Sequence, residues 1–286
     1  MEGPAGPTLA PGRTSGLSSR LGSGPDETRR HNLATILTAV HHEPGVTRAE
    51  LTRLTGLNRS TVLKVMAELV DGGLLHEVSP SAHAGRGRPS AHVYPRRDLA
   101  ALAIYPDLDA VTVGLVGLGG ALLGRVRRPT EGRTSMPEVV ALARELSDKL
   151  LQDAREPIAL LGVGAAVPGL VRAADGVVID APHLEWREES FGEALAAEFG
   201  VRVEVRNDAR AATVAETVFG AGRGVRDLVY LNGSYSGIGG GAVVGGATLR
   251  GRDGFGGEMG HTRVDGGRQR CHCGRTGCLE TEVNVQ

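Results

Sequence analysis

The chain has 286 residues, a formal net charge of −1 and 41% hydrophobic residues, so it can build about two globular domains and is neither strongly basic nor strongly acidic overall. It contains no apolar stretch of about 18 residues, so the sequence predicts no membrane span. Residues 1–28 are rich in Gly, Pro and Ser and lack the apolar core of a signal peptide. They are predicted to form a disordered tail.

Residues 29–97 begin with two predicted helices. Apolar side chains at helical spacing predict the first over Arg30–His42, and Glu43-Pro-Gly45 ends it. The run Thr47-Arg-Ala-Glu50 is a capping box, which starts a short second helix. That helix is predicted to carry Leu51 and Leu54.

A third helix is predicted to begin after Asn58, a residue type that caps helices. Its apolar residues at helical spacing are predicted to face inward: Val62, Val65, Met66, Leu69 and Val70. Residues 74–78 and 92–94 predict the two strands of a wing. This order of elements predicts a winged helix-turn-helix domain, mainly helical, over residues 29–97. The alternative is a three-helix bundle with a solvated face.

The polar residues at the start of this third helix are candidates for DNA contact. In a helix-turn-helix, such residues reach base edges in the major groove, and here they are Arg59, Ser60, Thr61 and Lys64. Between the wing strands, Gly-Arg86-Gly-Arg88-Pro places Arg86 and Arg88 on an extended segment that can enter a narrow A·T minor groove. The alternative for this segment is an ordinary basic linker.

From residue 98 to residue 286 the pattern changes to α/β. Strands are predicted at residues 102–104, 110–116, 121–126, 158–167, 201–205, 228–231 and 241–244, and helices at 137–151, 191–199 and 209–219. A glycine-rich turn is expected between the last two strands. An opening strand meander followed by alternating strands and helices favours the actin-like ATPase fold.

All three cysteines lie within eight residues, in Cys271-His-Cys273-Gly-Arg-Thr-Gly-Cys278, and a Glu-Met-Gly-His run ending at His261 precedes them by ten residues. Three Cys and one nearby His are the ligand types that tetrahedral zinc prefers. A disulfide is disfavoured, because Cys271 and Cys273 are too close for an easy bridge and one thiol would be left over. Free thiols favour a cytoplasmic protein. The alternative is three unrelated buried thiols.

Five segments occur in one order that resembles the ROK family, named for its repressors, open reading frames and sugar kinases. They are Gly162-Val-Gly-Ala-Ala-Val-Pro168-Gly169, Asn207-Asp208-Ala209, Gly237-Ile-Gly239-Gly240-Gly241, Glu258-Met-Gly-His261 and Cys271-His-Cys273-Gly-Arg-Thr-Gly-Cys278-Leu-Glu280. The resemblance spans residue 98 to the end. Together with the helix-turn-helix, it matches the repressor branch of the family, such as the xylose and N-acetylglucosamine repressors.

The resemblance implies that residues 98–286 form a sugar-binding domain. It implies one structural zinc ion held by His261, Cys271, Cys273 and Cys278, and a sugar bound by Asn207, Asp208, Glu258, His261 and Glu280. Carboxylates and a carboxamide suit a ring of hydroxyl groups, since together they can pair with several of them. In kinase members the position of Asp208 is the general base that takes the proton from the attacking hydroxyl.

The resemblance also separates kinase from regulator. Kinases of the family carry Asp-x-Gly-Gly-Thr-Lys at the turn that approaches the ATP phosphates, where this chain reads Asp107-Leu-Asp109-Ala-Val-Thr112. The glycine pair is absent, and Asp109 brings negative charge towards a polyphosphate. We therefore expect no enzyme but a repressor of carbohydrate uptake or catabolism genes, in which Asp208 is a vestigial base. Two alternatives stay open: an ATP-dependent sugar kinase with a DNA-binding module, and a degenerate DNA-binding protein that senses no sugar.

Two features differ from the family pattern. The family's Pro-Asn-Leu near the sugar is here Pro182-His183-Leu184, which leaves open which sugar or sugar phosphate is the effector. The chain ends soon after the zinc motif, so we expect the second lobe of the fold to be incomplete.

The expected DNA target of a homodimer or higher oligomer is a palindromic, A·T-containing operator.

Overall fold

The computed structural model describes residues 25–79, 90–234 and 237–283. Its first region contains the helices α1 (Pro25–His42), α2 (Arg48–Thr55) and α3 (Arg59–Asp71) and the strands β1 (Val46–Thr47), β2 (Leu75–Val78) and β3 (His92–Pro95). The strands form an antiparallel sheet in the order β1-β3-β2. This arrangement confirms the winged helix-turn-helix, and β1 adds a third strand that the sequence does not predict.

Local signals fix the turn between α2 and α3. Thr47 and Glu50 form the predicted capping box, and Gly56 ends α2 with a φ of 69°, a conformation that glycine adopts without steric cost. Asn58 Oδ1 then accepts the N–H of Thr61 at 2.8 Å and begins α3. The geometry of the helix-turn-helix is therefore encoded residue by residue in this short segment.

Helix α1 begins at Pro25, five residues before the predicted start at Arg30. Proline is compatible with the first turn of a helix, and Asp26 and Glu27 place negative charge there, where the helix dipole is favourable for it. Residues 25–28, which the sequence analysis assigns to the disordered tail, are therefore helical.

The core of the first region joins all three helices. Ile36 and Val40 of α1 are buried with Leu51, and α3 contributes the predicted Val62, Val65, Met66 and Leu69. The inward assignment was wrong for Val70, which is 36% exposed and is the penultimate residue of α3.

The second region contains eleven strands in the described part of the chain: β4 (Leu99–Pro106), β5 (Ala110–Gly117), β6 (Leu122–Pro129), β7 (Ala159–Val167), β8 (Leu170–Val171), β9 (Val178–Ala181), β10 (Trp186–Glu189), β11 (Val203–Asn207), β12 (Leu228–Ser234), β13 (Gly237–Val244) and β14 (Ala247–Thr248). Its helices are α4 (Met136–Gln152), α5 (Phe191–Phe199), α6 (Asp208–Phe219) and α7 (Leu279–Glu282), with a 3₁₀ helix at Met259–His261.

The main sheet has five strands in the order β11-β7-β4-β5-β6. Strand β7 pairs in parallel with β4 and β11, whereas β4, β5 and β6 form an antiparallel meander. This mixture of a meander with parallel crossovers is the one expected for an actin-like ATPase fold. Helices α4 and α5 cover one face, where Leu146 and Leu195 join a core with Ile104 and Val163.

Helix α6 packs mainly on β12 and β13, which form a second sheet with β14. The sequence predicts a glycine-rich turn between residues 231 and 241, but residues 237–240 are already part of β13. A Cβ at Gly239 would lie 2.7 Å from Ala209 Cβ, and one at Gly241 would lie 2.3 Å from Thr213 Oγ1. The glycines therefore let α6 lie directly against the strand.

Two further elements differ from the expectation. Strand β11 lies two residues later than predicted, so it ends at Asn207 and leads without a loop into α6. The sheet β10-β9-β8 is not predicted, because its strands are only two to four residues long. None of the helices in the described ranges combines the length and the apolar composition needed to cross a membrane.

Candidate functional site

A pocket of 310 Å³ lies where the start of α6 meets β13, the 3₁₀ helix and α7. Its lining includes all five residues that the sequence assigns to a sugar: Asn207, Asp208, Glu258, His261 and Glu280. Ligand pockets in proteins measure about 300–1,000 Å³, so this one suits a molecule as small as a monosaccharide. The fold thus gathers in one place residues that are more than seventy positions apart along the chain.

Asn207 is both the last residue of β11 and the N-cap of α6. Its Oδ1 accepts the N–H of Arg210 at 3.0 Å, and its Nδ2 donates to the carbonyl of Gly169 at 3.1 Å. Asp208 Oδ1 accepts from Asn207 Nδ2 at 3.1 Å and from the N–H of Ala209 at 2.8 Å. These bonds hold the Asp208 carboxylate in one orientation at the pocket.

Burial raises the pKa of the Asp208 carboxyl, and the negative charges of Glu258 and Asp107 act in the same direction. Tyr105 lies close by, and its pKa is raised by burial and by the charges of Asp107 and Asp208. A carboxylate with a raised pKa at a pocket accepts hydrogen bonds and is also able to accept a proton. The geometry of Asp208 therefore fits a sugar contact and also the general base of a kinase.

The predicted metal ligands come together beside this pocket, and two of them, His261 and Cys273, also line it. The ligand atoms of His261, Cys271, Cys273 and Cys278 all lie within 4.8 Å of one another. Cys273 Sγ is 3.6 Å from Cys278 Sγ, and Cys271 Sγ is 3.5 Å from His261 Nδ1. Around tetrahedral zinc, with Zn–S bonds of about 2.3 Å, neighbouring sulfur atoms stand about 3.8 Å apart. The donor set and its spacing therefore fit a tetrahedral metal ion.

Two of the thiols differ in acidity. A hydrogen bond with Arg275 lowers the pKa of Cys273 to about 6, which favours the thiolate that binds metals. Burial raises the pKa of Cys271 to about 12, and its thiol donates to Glu280 Oε1 at 2.8 Å. A coordinating thiol is deprotonated, so metal binding at this centre would release the Cys271 proton.

Glu280 links the metal cluster to the pocket. Its Oε1 lies 3.3 Å from His261 Nδ1 and 3.2 Å from His272 Nδ1. Both His261 and Glu280 also line the pocket. Because groups around a metal centre orient its ligands, the integrity of the cluster and the shape of the pocket depend on the same two side chains.

The start of α3 presents cations to solvent. Arg59, Ser60 and Lys64 are exposed and Thr61 is half-buried. Ser60 Oγ donates to Asn58 Oδ1 at 2.7 Å, so this hydroxyl forms part of the helix cap. Arg59 and Lys64 are thus the residues of the predicted DNA-contact set best placed for phosphates. Arg86 and Arg88 lie outside the described residues.

The turn between β4 and β5 has Asp109 and Ala110 where kinases of the resembled family have the glycine pair. The N–H of Leu108 donates to Asp107 Oδ1 at 2.8 Å, and Arg127 donates to Asp109 Oδ1 at 2.6 Å. The Asp109 side chain is 69% exposed at this turn. Its charge would oppose a polyphosphate that approached the turn.

Three polar residues of the pocket are absent from the sequence-based set: Asp180, Asn232 and His272. His272 stands between two predicted metal ligands, and this position is a signal that sequence reasoning could have used. Asp180 and Asn232 come from β9 and β12, and nothing in their local sequence marks them. His183, noted only as a departure from the family pattern, does line the pocket.

Comparisons with known proteins match both regions of the chain. A model of the ROK family matches residues 108–284, and a model of the MarR family matches residues 34–87. The xylose repressor of Bacillus subtilis (strain 168) is 29% identical over 254 residues, which cover 88% of this chain and 65% of that repressor. The chain thus spans about two thirds of the length of this relative.

Two solved structures extend the likeness to the fold. One is the crystal structure of a ROK family transcriptional regulator that is a homologue of the E. coli Mlc protein, with a TM-score of 0.71 and 28% identity, covering 89% of this chain and 64% of that one. The other is a ROK family glucokinase from Streptomyces griseus in complex with glucose and AMPPNP. Its TM-score is 0.54 at 28% identity, with 64% of this chain and 56% of that chain covered.

Proposed function

Because the chain belongs to the ROK family, we propose that it is a sugar-responsive, DNA-binding repressor of genes for carbohydrate uptake or catabolism. The observation that carries this proposal is the presence, in one chain, of a winged helix-turn-helix and of a pocket lined by Asn207, Asp208, Glu258, His261 and Glu280. Similarity to the xylose repressor over 88% of the chain supports it.

The DNA-binding half of the function rests on α3. Its first two turns carry Arg59, Ser60, Thr61 and Lys64 at the start of a capped helix, as a recognition helix requires. Arg86 and Arg88 of the wing segment add minor-groove contacts at A·T base pairs. The protein binds a palindromic operator as a homodimer or higher oligomer, because a two-fold protein matches a two-fold site.

The sugar-sensing half rests on hydrogen-bond capacity. Asp208, Glu258 and Glu280 offer carboxylate oxygens, and sugar hydroxyls donate to such acceptors. His261 shares its ring between the metal cluster and the pocket. In this proposal, binding of the sugar at these residues weakens operator binding.

One zinc ion completes the site in this proposal, held by His261, Cys271, Cys273 and Cys278. The sulfur spacing of 3.6 Å between Cys273 and Cys278 supports it. When bound, zinc supplies structural cross-linking of a segment that otherwise has little regular secondary structure. The cysteine-rich segment then holds Glu280 at the pocket.

The second candidate function is an ATP-dependent sugar kinase with a DNA-binding module. The orientation of Asp208 and the likeness to a ROK glucokinase structure favour it. The turn between β4 and β5 opposes it, because Asp109 and Ala110 replace the glycine pair and a kinase needs the backbone of that turn to approach phosphates. We therefore favour repression over sugar phosphorylation as the function of the chain.

An experiment with the full chain separates these functions. An operator is selected from randomised DNA, and its binding is followed by fluorescence anisotropy with and without xylose, glucose or N-acetylglucosamine. We expect selection of an inverted repeat, release by at least one sugar and no sugar phosphorylation with ATP above background. DNA binding that no sugar affects would contradict sensing, and ATP turnover that Asp208→Asn abolishes would identify a kinase.

A further inference from the structure

The pocket carries negative charge only. Four of its lining residues are carboxylates, Asp180, Asp208, Glu258 and Glu280, and no Arg or Lys lines it in the part of the chain that the structure describes. Arg187 approaches Asp180 Oδ1 at 3.5 Å, but its side chain is 85% exposed and does not line the pocket. A phosphate or carboxylate group on the ligand would therefore meet like charges without a counter-charge.

The helix N-terminus at the pocket offers no substitute anion site. The first N–H groups of a helix bind phosphates when they are free, but at α6 side chains of the protein occupy them. Asn207 Oδ1 accepts the N–H of Arg210, and Asp208 Oδ1 accepts the N–H of Ala209. The charge of Asp208 also cancels the favourable end of the helix dipole.

The cations nearest to α6 are engaged elsewhere. Arg210 Nη1 donates to the carbonyl of Gly254, and Arg206 Nη1 donates to the carbonyl of Ala173 at 3.2 Å. Arg206 also pairs with Glu204, at 2.6 Å. Neither arginine lines the pocket. No described guanidinium lines the pocket, and Arg275, which lies beside it, is engaged in a hydrogen bond with Cys273.

Three histidines line the same pocket: His183, His261 and His272. The rings of His183 and His272 meet edge to face with centroids 6.3 Å apart, and His272 meets His261 in the same manner at 5.1 Å. Arg133 donates to the carbonyl of His183 at 3.3 Å and fixes the loop that carries it. Imidazole rings offer an apolar face to the C–H side of a sugar ring and a nitrogen to a hydroxyl.

We propose that the effector is an uncharged monosaccharide, neither a sugar phosphate nor a sugar acid, and that His183 and His272 form the pocket wall that selects it. The proposal rests on the sugar-responsive function and deepens it. A zinc ion in the cluster does not alter the charge balance, because three thiolates outweigh its two positive charges. The acidic lining repels anionic ligands, and the histidine wall contacts the neutral ring.

The test is calorimetry of the full chain with paired ligands. Xylose, glucose and N-acetylglucosamine are compared with glucose 6-phosphate, N-acetylglucosamine 6-phosphate and glucuronate. We expect one or more neutral sugars to bind at least roughly tenfold more tightly than their charged forms, as like charges in a partly buried site require. Equal or tighter binding of a charged form would overturn the inference and leave the repressor function standing. Binding of no sugar, with the operator still bound, would overturn the repressor function itself.

Variants of His183 and His272 test their role in the pocket wall. His183→Asn should weaken the preferred neutral sugar about tenfold, while Glu188→Gln, an exposed carboxylate of β10 that does not line the pocket, should have no effect. His272→Asn is measured together with zinc content, because its neighbours are metal ligands. Unchanged affinity and unchanged sugar preference in His183→Asn would overturn the role of the wall.

A separate observation concerns the far end of α6. Phe219, the last residue of this helix, contacts the rings of His41 and His42 at the end of α1, with centroids 5.2 Å and 6.4 Å away. The N–H of Gly119 donates to His41 Nδ1 at 2.9 Å, and Arg223 pairs with Glu43 at 3.6 Å. One helix thus begins at the pocket and ends against the DNA-binding domain.

Phe219 is 43% exposed, and the covered part of its ring packs against a turn. A Cβ at Gly120 would lie 2.5 Å from the Phe219 ring, so the turn between β5 and β6 fits directly against it. Helix α1 in turn packs on α2 and α3. A displacement of α6 would therefore shift α1 and, through it, α2 and α3, because packed elements move together.

We infer that α6 couples sugar binding to operator release through the Phe219–His41 contact, which likewise presupposes the repressor function. Phe219→Ala should leave sugar affinity and operator affinity within about threefold and reduce sugar-dependent release at least roughly tenfold. Val214→Ala is the matched control, because Val214 is 45% exposed in the middle of the same helix. Full sugar-dependent release in Phe219→Ala would overturn the inference, as would an equal loss in the control.

Discussion

Helices α3 and α6 begin in the same way and, in the proposed function, serve different ligands. Asn58 caps α3 by accepting the N–H of Thr61 at 2.8 Å, and Asn207 caps α6 by accepting the N–H of Arg210 at 3.0 Å. The cap of α3 is exposed and is followed by Arg59, whereas that of α6 lies at a pocket and is followed by Asp208. A shared backbone device therefore says little about the ligand. The charge of the next side chain and the burial of the helix end decide it.

The largest expected effect concerns the metal cluster beside the pocket at the start of α6. Cys273→Ser should lower the zinc content from about one ion per chain to near zero, since it removes one of four ligands. Sugar binding should fall with it, because His261 and Glu280 lose their support. Metal analysis and calorimetry measure both. Operator binding serves as the internal control, as the core of the first region is separate. Zinc-free wild-type protein that binds sugar normally would contradict this.

The next effect tests the side chain that follows the α6 cap. Asp208→Asn keeps the shape of the residue but removes a charged acceptor, which costs about 1.5–3 kcal/mol of ligand binding. We therefore expect sugar affinity to fall roughly tenfold to a hundredfold, with operator affinity unchanged. Calorimetry and anisotropy report the two quantities. A parallel loss of both affinities would mean that Asp208 supports the fold and not the ligand.

Removal of each Asn cap in turn tests the comparison itself. Replacing an Asn cap by Ala costs about 1 kcal/mol of helix stability, so each variant should weaken one ligand several-fold. Asn58→Ala should reduce operator affinity and spare sugar affinity, while Asn207→Ala should do the reverse. Each variant is the control of the other. If both variants weakened both ligands equally, the two helix ends would not act independently.

A smaller effect concerns the charges beside the α3 cap. Arg59→Ala and Lys64→Ala should each lower the slope of log affinity against log salt concentration by about 1, because each removes one phosphate contact. Arg155→Ala removes an exposed charge from the second region and should leave the slope unchanged. Anisotropy titrations at several salt concentrations give the slopes. An equal change in all three variants would indicate a long-range charge effect.

The smallest expected effect is a pH dependence at the end of α6. Burial lowers the pKa of His41 from its ordinary value of 6.5, and the neighbouring His42 adds to the shift. The neutral ring, which accepts the N–H of Gly119, is thus favoured, and its contribution to coupling is full above pH 6.5 and falls as the pH drops below it. Glu43 and Arg223 also face this contact. Sugar-dependent release should weaken at pH 5.5 in wild type but not in His41→Gln.

Local signals made the first region predictable. The capping box at Thr47, the left-handed Gly56 and the cap at Asn58 each depend only on neighbouring residues, so the sequence places the turn between α2 and α3 correctly. The start of α1 was misplaced because apolar periodicity begins only at Leu33, whereas Pro25, Asp26 and Glu27 extend the helix through its first turn.

The second region was predictable where motifs carry chemistry. The cluster of His261 with the three cysteines and the grouping of Asn207 with Glu258 and Glu280 follow the motif expectations. Asp180 was missed because it lies on the short strand β9, which the sequence does not predict, and Asn232 because it lies on β12 just beyond the predicted end of that strand at residue 231. Residues 237–240 were taken for part of a turn because the reason for their glycines, the close approach of α6, is a tertiary contact that the local sequence does not show.

The most direct test of the account is the operator affinity of the full chain with and without a saturating neutral sugar that calorimetry shows to bind. Anisotropy of labelled operator DNA gives both values on one preparation. The account predicts that the bound sugar weakens operator binding at least roughly tenfold, as a coupling of about 1.4 kcal/mol requires. Operator affinity that stays the same while the sugar is bound would contradict it.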